Sequence, residues 1–277
     1  MRSVRLVGDV LLEERRRAYE AVLGSDYVTQ SASFHGVDLA DVAVGSDGCI
    51  ETCREALAAG IRVVVHGPTI DETGEFKKLL EEGEGRLRLA HPIRFDSKYA
   101  LSSGESADGK LGDVITVRVI RTGSTERHIS VEELNVLDAL LLFGGHIDRI
   151  FTRRNNVRAE ESNTALSVVR FANRAVGYGE ACTAHYPGYF YEVIEVVSTD
   201  GMLEYDSFSR VNRLVGNDGV TTVDSYHVSP YQAMIEDYVV AFRGDRQGSV
   251  SESESVDLLD LAIRSLKSSE LPEAVNG

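Results

Sequence analysis

The sequence predicts an α/β segment followed by an α+β segment, and three observations carry that expectation. Strand-like apolar runs alternate with amphipathic helix patterns over the first third of the chain. Further on, strand-like runs follow one another with little but turn residues between them. Two helix-period segments close the chain. Alternation implies a doubly wound parallel sheet; strands in direct succession imply an open, mostly antiparallel one.

In order, Val4–Val7 is a buried-strand run ending at Gly8. Leu11, Leu12, Arg15, Ala18, Tyr19 and Val22 recur at helical spacing, with Gly24 as the stop. Tyr27–Ala32 predicts a weak strand and Val37–Val44 a clearer one, ending in Gly45-Ser46-Asp47-Gly48. A helix over Cys49–Ala59 stops at Gly60. Ile61–Val65 is β-branched apart from Arg62 and reads as a buried parallel strand. After Pro68 come a helix over Glu72–Glu82 and a strand over Arg86–Ala90.

The pattern then changes. A helix over Phe95–Ser103 leads to a strand at Val114–Arg121 and a helix at Val131–Phe143, ended by Gly144-Gly145. Strands are expected at Ile147–Arg153, Ala165–Phe171, Ala175–Thr183, Phe190–Ser198, Met202–Tyr205 and Arg210–Val215. Turn residues separate most of them, such as Asn173-Arg174, Asp200-Gly201 and Asn217-Asp218-Gly219. Helices at Pro230–Phe242 and Val256–Ser268 follow, joined by a polar loop, Gly244–Glu254. The expected division is a first domain over 1–91 and a second over 92–277.

Composition excludes several classes. The 277 residues carry 44 Asp+Glu against 29 Lys+Arg, a net charge of −15, which repels a polyanion and argues against nucleic-acid binding. No run approaches the ~18 apolar residues of a membrane helix. The apolar part of the N-terminus is too short for a signal peptide. Cys49, Cys53 and Cys182 cannot build a disulfide framework, so a reducing cytoplasm is the expected compartment. Lysine occurs only at positions 77, 78, 98, 110 and 267. Acid excess with scarce lysine suits a salt-rich cytoplasm, where repulsion between carboxylates is screened.

The order of local motifs carries a resemblance. Val37–Ser46, followed by Glu55-Ala56-Leu57-Ala58-Ala59-Gly60-Ile61-Arg62-Val63-Val64-Val65-His66-Gly67-Pro68, resembles the Gfo/Idh/MocA oxidoreductases at their vDaV-I-tp strand, a helix ending in AL-aGkhV, and an EKP turn. His91-Pro92-Ile93-Arg94-Phe95 is similar to the family's Rf segment, and Gly109–Val114 to its G-lG-v segment. Asn135-Val136-Leu137-Asp138, with Gly145 beyond, is similar to H-x-x-D…G. Ser198–Leu203 resembles GT-G-l, and Tyr231–Phe242 the following helix. The resemblance implies a Rossmann domain, then an open sheet with a substrate pocket on one side and often an oligomer interface on the other. It implies NAD or NADP as cofactor and a sugar- or polyol-like substrate.

The departures from that pattern bear on function. A dinucleotide loop needs G-x-G-x-x-G, for a tight turn, close approach of the pyrophosphate and helix–strand packing. Here Gly8 keeps the first position, while Val10 and Glu13 stand at the others. Asp9 and Glu13 put carboxylates where a pyrophosphate would meet the helix N-terminus. The acid expected after the second strand is missing, and one crossover unit of about 30 residues is absent before Val37. The family's lysine corresponds to Gly67, and its two histidines to Cys49 and Asn135.

The sequence therefore predicts weak or no NAD(P) binding and a non-catalytic scaffold or ligand sensor. The alternative is an active dehydrogenase with an altered site. Family position assigns the cleft to Gly8, Asp9, Gly45, Ser46, Asp47, His66, Gly67 and Pro68. Candidate proton carriers are His66, Lys98 and Asp138; a histidine titrates near neutral pH, but His66 can equally line or cap the cleft, and Lys98 can equally be a solvated surface residue. Arg94, Asn135, Asp138 and His185 are substrate-contact candidates, His185 through the aromatic segment His185-Tyr186-Pro187-Gly188-Tyr189, which can also be a plain Pro-Gly turn. Cys49 and Cys53, with His66 nearby, fall short of a closed zinc site, so no metal is expected. Apolar residues on both faces of Phe190–Val197 predict a homo-oligomer through the second-domain sheet.

Overall fold

The computed structural model describes residues 3–8, 11–29, 34–43, 48–99, 111–124, 129–156, 163–209, 211–217, 219–223, 229–245 and 248–270. In chain order the elements are β1 (Val4–Val7), α1 (Leu12–Leu23), β2 (Val28–Thr29), β3 (Leu39–Ala43), α2 (Cys49–Ala58), β4 (Arg62–His66), α3 (Thr73–Glu82) and β5 (Leu87–Leu89). Then come β6 (Val114–Ser124), α4 (Ile129–Gly144), β7 (Ile147–Asn155), β8 (Thr164–Phe171), β9 (Val176–His185) and β10 (Phe190–Ser198). The last are β11 (Gly201–Asp206), β12 (Val211–Gly216), β13 (Gly219–Val223), α5 (Pro230–Arg243) and α6 (Glu252–Glu270). Two compact units result, Met1–Asp96 with His227–Asp260, and Ser97–Tyr226 with Leu261–Gly277.

The first unit holds a five-stranded sheet in the order β2-β1-β3-β4-β5, parallel throughout. The doubly wound expectation is met. β2 is the edge strand beside β1, where the six-stranded dinucleotide fold carries a further strand outside it. The core joins Val4, Leu6 and Leu39 of the sheet to Ala18 and Tyr19 of α1 and to Met234, Ile235, Tyr238 and Phe242 of α5. The chain thus returns to this unit near its C-terminus, a return that local periodicity has no means of registering.

The second unit holds an eight-stranded sheet in the order β13-β12-β11-β10-β6-β9-β8-β7. All its pairings are antiparallel except β6 with β9. α4 packs on the sheet through buried Val136, Leu137 and Leu140, while Leu141 is half-buried. Gly179 on β9 permits this approach, because a Cβ there would collide with Val136 and Leu140. The segments around Gly112 and Asp200 meet: Thr199 N donates to Asp113 O and Asp200 N to Leu111 O, both at 2.9 Å. Gly112 sits at φ 72°, and a side chain there would strike Thr199 and Asp200.

Several expected elements differ. A 3-10 turn, Ser25–Tyr27, precedes a two-residue β2, and the rest of the weak strand lies outside the described residues. The helix expected from Phe95 starts two residues later: Pro92–Phe95 is a 3-10 turn, Asp96 is extended, residues 97–99 are helical, and the remainder lies outside the described residues. β13 was not expected from the sequence; only Val220 and Val223 in it are apolar, and Val220 is exposed. α6 starts at Glu252, inside the expected loop, because Glu252 and Glu254 favour a helix N-terminus.

Candidate functional site

The C-terminal ends of β1, β3 and β4 form the edge where open α/β sheets take ligands. Of the cleft residues expected there, Asp9, Gly45, Ser46 and Asp47 lie outside the described residues. Gly8 (φ 81°) and Gly67 (φ 45°) both hold left-handed turns at strand ends. Pro68 is buried beside the latter. α1 begins after Leu11, which is left-handed at φ 51° with its side chain exposed and no side-chain cap. Glu13 and Glu14 occupy the first turn of α1.

Behind this edge lies a buried cluster. Asp41, central in β3 and fully buried, accepts from Arg15 Nη1 at 2.5 Å through Oδ1. Its Oδ2 accepts from Tyr19 Oη at 2.8 Å and pairs with His66 Nε2 at 2.8 Å. Arg15 Nη2 donates to Gly8 O at 2.7 Å, and weaker bonds reach Val7 O. Arg15 stands on the apolar stripe of α1, the position that brings it under the end of β1. Burial tends to raise the Asp41 carboxyl, but His66, Arg15 and Tyr19 outweigh it and hold the carboxyl below its usual value. Burial and the adjacent carboxylate push the Tyr19 phenol well up, so it stays a donor.

This arrangement defines what His66 can do. Its Nε2 is committed to Asp41, and the ring lies 5.9 Å from the Tyr231 ring. Only Nδ1 is left for another partner. Cys49 and Cys53 are buried in α2, and hydrogen bonding between them lowers the Cys49 thiol. Among the described residues no group of His, Cys, Asp and Glu could hold a metal ion. Arg94 is paired with Glu254 at 2.5 Å; burial tends to raise the Glu254 carboxyl, but hydrogen bonds from Ser251 N and Oγ, with Arg94 adding to them, keep it below its usual value.

A second polar cluster is built in the other unit. Arg121 on β6 donates Nε to Glu132 Oε2 at 2.8 Å and Nη1 to Glu192 on β10. Tyr99 Oη donates to Glu192 Oε1 at 2.8 Å. Lys98 Nζ lies 2.7 Å from Glu192 Oε2 and faces the Tyr205 ring at 5.4 Å. Lys98 is therefore not a solvated surface lysine; its side chain is 15% exposed. Asp138 is buried on α4, Asn135 half-buried, and His185 is exposed, stacked on Tyr189 at 4.5 Å. The sequence reading missed Asp41, Glu192 and Arg121. The signal for Asp41 was present: a carboxylate inside an apolar parallel strand requires a buried cation.

The opposite face of this sheet carries no described helix and exposes Phe151, Leu166, Val168 and Val176.

No protein-family model matches the chain, and no curated protein sequence matches it. Solved structures match in fold. A UDP-N-acetylglucosamine 3-dehydrogenase from Acidithiobacillus ferrooxidans superposes with TM-score 0.81 at 15% identity, covering 97% of both chains. An oxidoreductase from Agrobacterium radiobacter, solved with NAD+, L-tartaric acid and magnesium, gives TM-score 0.80 at 14% identity, covering 96% of both. A levoglucosan dehydrogenase solved with NADH and levoglucosan gives 0.81 at 14%, covering 96% of both. The resemblance to Gfo/Idh/MocA oxidoreductases is met at the level of fold, across nearly the whole chain.

Proposed function

We propose that this chain has the oxidoreductase fold without ordinary NAD(P)-dependent turnover, and serves as a scaffold or sensor that binds a small sugar- or polyol-like ligand. One observation carries this reading. The buried cation at the end of β1, Arg15, is neutralised by Asp41 and bonded to the Gly8 carbonyl, so it offers no charge to a pyrophosphate. The first turn of α1 is acidic, Glu13 and Glu14, with Val10 and Glu13 at the missing glycine positions; Arg16, 3.8 Å from Glu13, and Arg17 follow one turn on. Each like charge at contact distance opposes a phosphate by roughly 1–4 kcal/mol. Gly67 supplies no proton carrier where the related fold has its lysine.

Isothermal calorimetry with NAD, NADH, NADP and NADPH tests this, at low and at multimolar salt. The expected Kd is above about 1 mM in every case. Micromolar binding of any of the four overturns the reading.

The second reading, an active dehydrogenase of a sugar- or polyol-like alcohol, draws on Lys98. A lysine held against a buried glutamate is its proton carrier, alongside His66 and Asp138. It requires reduction of NAD or NADP by such an alcohol, lost in Lys98→Met. We further propose a homo-oligomer through the open sheet face, where Phe151, Val168 and Leu166 are 45%, 47% and 37% exposed. Light scattering giving a monomer mass at stabilising salt would exclude it. A reducing, salt-rich cytoplasm fits the free cysteines and the acidic surplus.

A further inference from the structure

We propose that Cys49 and Cys53 form a reversible dithiol–disulfide modification site in the first turns of α2, with a small hydroperoxide as its oxidant. The site goes beyond the proposed ligand binding and does not depend on it.

Three features of α2 carry this. Cys49 is the first residue of the helix and Cys53 stands one turn on, so the i,i+4 spacing puts both thiols on one face. The two are hydrogen-bonded: the bond from Cys53 holds the Cys49 thiol below its usual value, although burial tends to raise it. The same bond, with burial, pushes the Cys53 thiol up. Cys49 is thus the thiolate nucleophile, and Cys53 the thiol that resolves it. The helix start, finally, has room to shift. Gly48 is left-handed at φ 80° and makes no side-chain cap, and among the described residues nothing beyond its chain neighbours lies within 4 Å of where its Cβ would stand.

Geometry decides what the bridge does. Cβ atoms at i and i+4 of a helix are about 5–6 Å apart, whereas a relaxed disulfide needs about 3.5–4.5 Å. Cys53 is 0% exposed and held in the core; Cys49, 4% exposed at the helix start, is the one that moves. Closing the bridge draws the first turn inward and breaks the bond from Thr52 N to Gly48 O, which is 2.8 Å long in the reduced chain. A strained bridge is readily reduced, which makes the modification reversible. The turn that shifts follows β3 at the sheet edge where open α/β folds take ligands. The oxidation state of the pair therefore sets the shape of that edge.

The Cys49 thiolate attacks one peroxide oxygen, the O–O bond breaks, and hydroxide leaves, taking up the thiol's proton as water. Cys53 Sγ then attacks the Cys49 sulfenic acid. An S–S bond forms, the S–O bond breaks, and the second water leaves with the Cys53 proton. The two thiols lose two electrons, and one hydrogen peroxide becomes two waters. The low exposure of the pair restricts the reaction to an oxidant of that size.

Thiol trapping and mass spectrometry test this on the reduced whole chain, treated with hydrogen peroxide while folded. The expected product is a Cys49–Cys53 bridge that dithiothreitol reverses. Cys182, half-buried and alone on β9, is the internal standard. Despite its greater exposure it is expected to oxidise about tenfold or more slowly. Cys53→Ala is expected to stop at a sulfenic acid on Cys49, captured by dimedone, and Cys49→Ala to leave Cys53 unreacted. Amide exchange at Thr52 is expected to rise about tenfold or more on oxidation, while Leu57 in the last turn stays unchanged.

Free Cys49 and Cys53 in a folded chain whose Cys182 is already oxidised would overturn the inference and leave the pair as packing residues. So would a bridge that forms only in urea, or one that leaves Thr52 exchange unchanged. These parent-chain measurements decide the matter even where an alanine variant fails to fold.

Discussion

The two buried charge clusters solve the same problem differently. Around Asp41, one carboxylate meets one guanidinium, one imidazole and one phenol. Both oxygens are used, and both charged side chains are 1% exposed or less. Around Glu192 there are two cations and two carboxylates, and Lys98 keeps a partial opening to solvent. Among the described residues, the buried Arg15 Nε of the first cluster lacks a hydrogen-bond partner, and so does the Asn212 amide on β12. The closed cluster holds α1 to β3 and β4, whereas the open one leaves its lysine 15% exposed. A charge pair sealed from water contributes architecture; a pair at the margin of solvent keeps chemical options.

This contrast predicts unequal costs of breaking the two. Asp41→Ala leaves Arg15 buried with only carbonyls for company, and is expected to destabilise by about 3–5 kcal/mol in urea unfolding. Glu192→Ala should cost less, about 2–3 kcal/mol, because Arg121 keeps Glu132 and Lys98 can reach water. Equal losses would erase the distinction between a closed and an open cluster.

Acid should separate the clusters further. The native Asp41 carboxyl lies below its unfolded value of about 3.9. Its stabilising contribution is therefore complete above that value and is lost as pH falls through the lower native one. The urea midpoint should fall more steeply below about pH 4 in the parent chain than in Asp41→Asn. Parallel curves would show that Asp41 is not held low.

The smallest effects concern the phenols. Tyr19→Phe removes a bond to Asp41 Oδ2, leaving that oxygen with His66 alone. Tyr99→Phe removes a bond to Glu192 Oε1, which keeps Arg121. The first is expected to cost about 1.5 kcal/mol and the second about 1 kcal/mol, measured by the same unfolding. A reversed order would show that Glu192 depends on its phenol more than Asp41 does.

Much of the fold was legible because its signals are local. The β-branched run Val63–Val65 and the Gly60 stop before it define a strand and a helix end without reference to distant residues. Short turns between β8 and β9, and between β10 and β11, dictate antiparallel pairing. The sites were less legible. His66 and Lys98 were selected for their residue types, but their commitments to Asp41 and Glu192 depend on partners 25 and 94 positions away in the chain (66 − 41 and 192 − 98).

By itself, then, the sequence determined the order and kind of the elements, the acidic surplus and the missing glycines, since these follow from spacing, composition and backbone chemistry. Only the tertiary structure decided that Arg15 belongs to Asp41, that Lys98 belongs to Glu192, and that Asn212 is buried without a partner among the described residues. Those facts depend on register and on the packing of one element against another. A buried polar group's cost or usefulness is fixed by what faces it across that packing, and the chain's local pattern does not specify what that will be.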